Sequence, residues 1–201
     1  LLLSLQDTLE GNEWPPKRLR LAAVAACAEV LPDALNAALH HEKLNALLVK
    51  GTQDADSHSS RRFAITALSH LREATPAVVE VLLKASQDVR LVQADAVKAA
   101  ARFRHLSETF SYEDSLTPLA EALTGPSGAR AYVAAQLLAA LGSSPAALEV
   151  PGLRERIAAI LADALRQPNA EREVYLDETS FQGPLSQALF AALVKIWGLP
   201  E

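Results

Sequence analysis

Four arginines are the most regularly placed polar residues of this sequence. Arg20, Arg61, Arg90 and Arg130 each open an Ala-rich apolar run. A guanidinium is a planar fork of N–H donors suited to carboxylates and carbonyls. Such a ladder can tie neighbouring segments together, which is the simpler reading, or present a cationic stripe to an acidic partner. Arg102, Arg104 and His105 add positive charge after the third run. Other groups capable of chemistry stand apart. Cys27 lies in Ala25-Ala26-Cys27-Ala28 with no basic residue closer than Arg20, so a buried small side chain is expected rather than a nucleophile of lowered pKa. The turn Asp54-Ala55-Asp56-Ser57-His58-Ser59-Ser60 holds Ser, His and Asp, but adjacency in sequence builds no catalytic triad, and a polar turn with a helix N-cap is the expectation. Gly125-Pro126-Ser127-Gly128 lacks the lysine of a phosphate loop, and its proline lacks an N–H. His41-Glu42 offers one nitrogen and one oxygen ligand, while His58, His70 and His105 are followed by Ser, Leu and Leu. A metal site needs several converging ligands, which one pair cannot supply. No catalytic residue, metal or cofactor is expected.

Positioning these side chains falls to helices. Half of the 201 residues are apolar, and Ala (38) with Leu (34) makes up more than a third; both are strong helix formers. The apolar share excludes a disordered chain. A single cysteine excludes a disulfide framework and a Cys-based zinc site. Charges or prolines interrupt every apolar run before 18 residues, so no membrane span is expected. The net charge of −5 is spread out: residues 1–100 carry 11 basic and 12 acidic side chains, residues 101–201 carry 8 and 12. Binding to phosphate backbones needs clustered Lys and Arg, so nucleic acid is disfavoured as a partner. Prolines stand where helices should begin, several after a good N-cap: Thr75-Pro76, Thr117-Pro118 and Ser144-Pro145. Gly51, Gly125, Gly142 and Gly198 follow apolar periodic runs and are read as closing them. Helices are expected over 1–10, 17–31, 33–50, 59–73, 76–86, 88–106, 113–124, 128–142, 151–167 and 184–198, with strand signals nearly absent.

Every second helix looks alike. After Arg20, Arg61, Arg90 and Arg130 come small residues at helical spacing, then Leu or Phe three to four residues on; Ser186–Ile196 is a fifth copy. Taking Ala23, Ala64, Ala96 and Ala134 as equivalent gives spacings of 41, 32 and 38 residues. Periods of this size with two helices each indicate an α-solenoid, in which no pair buries its apolar face alone and stacked neighbours bury it continuously.

The residues that carry this pattern resemble HEAT repeats, in which an Asp near the inter-helix turn is followed by Val-Arg and then by Ala and Leu on the second helix. Asp88-Val89-Arg90 with Ala94, Ala96 and Val97 matches best; Asp54 or Asp56 with Arg61, Ala64 and Leu68 is looser; Arg130 with Ala134 and Leu138 lacks the Asp. The resemblance covers residues 14–198. It implies an all-α, right-handed α-solenoid of about five antiparallel helical pairs, with the arginines paired to an Asp or carbonyl of a neighbouring repeat. HEAT-like arrays mostly serve as binding scaffolds. The deoxyhypusine hydroxylases of this kind hold two irons with several His-Glu pairs, whereas His41-Glu42 is a single pair. HEAT-like DNA glycosylases and bilin lyases remain the alternative classes that the resemblance brings.

Residues 168–183 break the period. This acidic connection, read as irregular, carries Glu171, Glu173, Asp177 and Glu178 around Tyr175, Leu176 and Phe181. Apolar side chains set among acids indicate packing on the terminal repeat or on a partner. The reading is therefore one HEAT-like domain over 1–201. The chain lacks methionine and starts at Leu1, so a piece of a longer cytoplasmic protein is expected. It would act as an interaction scaffold or as a regulatory or sensing module for a protein partner, with no small-molecule substrate evident. The candidate partner-binding residues are Arg61, Arg90, Arg102, Arg104, Arg130, Tyr175 and Phe181.

Overall fold

The structure, a computed structural model, describes residues 17–30, 42–71, 73–103, 105–106, 112–175 and 181–198. The helix expected over 1–10, the first part of that expected over 33–50, His41 and Arg104 lie outside the described residues. The chain divides into two compact units, Leu1–Arg72 and Glu73–Glu201, where the sequence suggests one continuous array.

In the first unit, α1 (Lys17–Val30) and α2 (Glu42–Gly51) both pack on α3 (His58–Leu68). Alpha-1 buries Leu21, Val24, Ala25 and Ala28, residues three and four apart that share one side of a helix. Ala23, expected to be its core alanine, is exposed instead; the buried stripe runs one position later, through Val24 and Ala28. Cys27 is free and half-buried at the edge of that stripe, not a fully buried core position. The Ser-rich turn is the expected polar cap: Ser57 Oγ accepts the Ser60 amide at 3.2 Å, satisfying one donor that a helix start leaves open.

In the second unit, β1 (Glu73–Ala74) leads into α4 (Pro76–Ala85) and α5 (Arg90–Arg102), and β2 (His105–Leu106) follows. The two short strands pair in parallel, Glu73 with His105 and Ala74 with Leu106. They replace the helical ends expected at 73 and at 103–106. Alpha-3 stops at Leu68 with amide-to-carbonyl bonds of the three-residue kind from His70 and Leu71. At the end of α5, buried Phe103 takes an extended backbone that carries the chain off the helix. Next come α6 (Tyr112–Thr124), α7 (Gly128–Gly142), α8 (Pro145–Glu149) and α9 (Leu153–Leu165). Thr75 and Ser144 cap α4 and α8 as their sequences suggest, although the short α8 was not expected. Thr117-Pro118 does not begin a helix; α6 starts earlier and continues through the proline.

The connection after α9 is built rather than irregular. A 3-10 turn (Pro168–Glu171) leads to β3 (Glu173–Tyr175), which pairs antiparallel with β4 (Phe181–Pro184), and α10 (Leu185–Trp197) closes the unit. Ala170 and Val174 from this segment are buried.

Helix pairs are the repeating motif: α2 with α3, α4 with α5, α6 with α7, α9 with α10, and in the second unit the second helices also stack, α5 on α7 and α7 on α10. Ala64, Ala96 and Ala134 are all fully buried on their second helices, as small residues at close helix contacts should be. Alpha-7 is apolar nearly all round, which marks a helix enclosed by others. It touches α4, α5, α6, α8, α9, α10, β2 and β3. Gly142 is its last residue and has a packing role, not a left-handed stop. A Cβ there would stand 2.9 Å from the side chain of buried Ile196 on α10.

Candidate partner interface

The arginine ladder is not one uniform stripe. Arg20 is buried in α1. Arg61 is half-buried, and its Nη1 donates to the Asp54 carbonyl at 2.7 Å. Asp54 also takes the Asp56 amide on its carboxylate and forms an ion pair with Lys17 at 3.5 Å. Arg61 thus fixes the turn between α2 and α3 of its own helix pair, where the resemblance implied a bond to a neighbouring repeat. In the second unit Arg130 is half-buried at the start of α7, its Nε enclosed with no hydrogen-bond partner among the described residues. Arg90 and Arg102 differ: both are exposed, at opposite ends of α5, about 18 Å apart at 1.5 Å per residue.

Alpha-5 presents a mixed surface. Leu91, Asp95, Lys98 and Arg102 recur at helical spacing on one side, with Arg90 beside them at the first turn. Leu91 is 47% exposed and Val89, just before the helix, 52%. Asp88 uses its carboxylate locally, accepting the Val89 amide at 2.6 Å. Three cations, one carboxylate and exposed Leu91 therefore share the outside of α5, with exposed Val89 just before its first turn. Arg102 stands in the last turn, where the helix dipole favours a cation.

Tyr175 and Phe181 come together as cross-strand partners at the end of the hairpin. Exposed Tyr175 donates its hydroxyl to Glu173. That bond, first, and then desolvation and the carboxylate's charge raise the phenol above its ordinary pKa. The hairpin is seated by residues that sequence reasoning passed over. Arg172 donates to the Gly125 carbonyl and, at 2.9 Å, to the Leu123 carbonyl, so it closes the C-terminal end of α6. Burial lowers its pKa. Gly128 lets β3 cross the start of α7, since a Cβ there would lie 3.1 Å from the Glu173 carbonyl oxygen. Arg154 does the same for α10 as Arg172 does for α6: it donates to the Ile196 carbonyl and lies over the Trp197 ring, 5.4 Å from its centroid. In sequence both arginines look like ordinary surface charges. No local signal in the sequence marks them, because the carbonyls they reach are more than 40 residues away.

No group of three or more His, Cys, Asp and Glu side chains converges as a metal site among the described residues. No helix among them is long and apolar enough to cross a membrane. No protein-family model matches the chain, and no curated protein does. Among solved structures, a designed armadillo repeat protein is similar, with 16% identity and a TM-score of 0.50 over 98% of this chain and 100% of that one. The chain has an all-α, solenoid-type helical-repeat fold of the armadillo and HEAT kind. At this identity the likeness speaks for the fold alone.

Proposed function

We propose that this chain is a protein-interaction module, a scaffold or regulatory element working in the cytoplasm. Its α5 surface receives a partner segment that is acidic and partly apolar. The observation that carries this reading is the shared exposure of Val89, Leu91, Arg90, Lys98 and Arg102. Cations set beside aliphatic side chains reward a partner that brings carboxylates and apolar groups together, and each exposed cation adds steering more than affinity. A helical-repeat fold supports the reading because stacked pairs hold such a helix rigidly, so little ordering entropy is lost on binding. Arg104, Arg130 and Phe181 are not needed for it. Arg61 belongs to the fold, and Tyr175 forms a separate aromatic and acidic spot on the hairpin.

The test is affinity capture from source lysate with the wild-type chain and an Arg90→Glu/Arg102→Glu variant as baits, followed by titration of the captured protein. A partner held by the wild type, lost with charge reversal and weakened by rising salt supports the reading. A partner held equally by both baits, with no salt dependence, overturns it. Thermal unfolding of the variant should stay close to the wild type, since the helix dipole favours Glu at 90 and disfavours it at 102.

A further inference from the structure

The last helix of the second unit is apolar on two sides. Its inner side, centred on Leu189 and Ile196, is buried against α7 and α9. Its outer side carries Phe190 (62% exposed), half-buried Val194 and Trp197 (47% exposed), flanked by exposed Gln187 and Ala191. Spacings of four and three residues place the first three on one line, about 10 Å long at 1.5 Å per residue. Single exposed apolar residues are ordinary; a continuous row marks a contact. The neighbouring cations are already engaged within the unit: Arg154 with the Ile196 carbonyl and the Trp197 ring, Lys195 with the Phe103 carbonyl at 3.5 Å.

We propose that this row is a contact between two copies of the chain, α10 against α10 in antiparallel orientation, about a two-fold axis near Val194. Three observations favour a second copy over another occupant. The row carries no charge in a chain of net charge −5. A two-fold axis sets each residue against its own kind, so a charged face would repel itself, and an uncharged one does not. The pattern also reads alike in both directions, an aromatic at each end and an aliphatic at the centre, so Phe190 of one copy meets the second copy's Trp197. Finally, the inner side of α10 already stacks on α7. Another α10 is the same kind of neighbour for its outer side. The apolar area is small, so association falls at the weak end of specific interfaces, below about 1,200 Å² in total. This surface is separate from the α5 surface, and either proposal can fail without the other.

Sedimentation equilibrium of the full chain, from low micromolar to submillimolar concentration, tests it. The average mass should rise from the 21.5 kDa of one chain toward twice that. Val194→Glu and Val194→Lys should each weaken dimerisation about tenfold or more, and an equimolar mixture of the two should restore it. Phe190→Ser, at an exposed position, should also give a monomer, with an unchanged melting temperature. A wild type that stays at 21.5 kDa throughout overturns the proposal. So does a dimer that persists in Phe190→Ser, or a mixture that fails to reassociate where the wild type dimerises.

Discussion

Arg172 shows how much one side chain can decide. Its guanidinium reaches the last carbonyls of α6 while its own carbonyl accepts the Leu185 amide at 2.9 Å. One residue therefore ties the helix before α7 to the helix after the hairpin. Arg172→Ala should cost about 1–3 kcal/mol, because hydrogen bonds to charged groups are lost from a partly buried site. Arg102→Ala, at an exposed position in the last turn of α5, should cost less, about 0.3–1 kcal/mol. Urea unfolding of both variants makes the comparison. A second residue-scale expectation concerns Tyr132. Burial raises its phenol above the ordinary 10.0, with the bond to Gln136 opposing. The fold then holds that proton more tightly than the unfolded chain does. Its contribution is fully present below pH 10 and is lost as pH rises through the raised folded value. The urea midpoint should fall above pH 10, and less steeply in Tyr132→Phe. At this scale the sequence was only partly legible. For Arg61 a structural bond was implied by the resemblance, but to a neighbouring repeat rather than to the Asp54 carbonyl of its own turn. For Arg172 and Arg154 none was implied, because the carbonyls they reach lie at the ends of other helices, 49 and 42 residues away at the farthest.

At the scale of elements, helix existence was legible and helix ends were not. Alternating proline starts and Ala-Leu runs mark the bodies, since propensity and periodicity agree over whole turns. The ends depend on tertiary partners. Two residues at 73–74 leave the helical path because 105–106 are there to pair with them. The hairpin was missed because its strands are short and β3 buries only Val174, between two exposed neighbours. That burial makes residues 170–182 part of the fold. Removing them takes away Ala170, Arg172 and Val174 together, and the melting temperature should drop. Three substitutions probe the packing. Ala96→Asp and Ala134→Asp each place a charge at a fully buried position and should cost several kcal/mol, of the order of 3 or more. Gly142→Ala sets a methyl 2.9 Å from Ile196, and Ile196 is itself buried. Overpacking of about 1–3 kcal/mol should outweigh the gain of about 1 kcal/mol in helix propensity. Pro118→Ala works the other way. Pro118 lies exposed inside α6, and its removal returns an N–H to the helix, so stability should rise by about 1–3 kcal/mol. Thermal unfolding reads all four.

At the scale of the whole molecule, composition and period were enough to name the helical-repeat class, and the two compact units were not visible in them. A repeat array usually stores its stability in nearest-neighbour steps, so that it can fray from an end. The second unit is wired differently. Alpha-7 is held from every side, by helices that precede it in the chain and by helices that follow it. Both α4–α5 and α9–α10 pack on α7, so neither pair can leave without uncovering part of that buried helix. Residues 73–201 should therefore melt as one cooperative block. Amide hydrogens of α7 should exchange with solvent only through global opening of that block, at a common free energy that rises and falls with its overall stability. Graded protection declining from α7 toward α10 would instead describe an array that peels. If α5 receives a partner as proposed, such a block makes it an all-or-none platform: the surface is either wholly present or wholly absent, with no half-unravelled form for a partner or a protease to find.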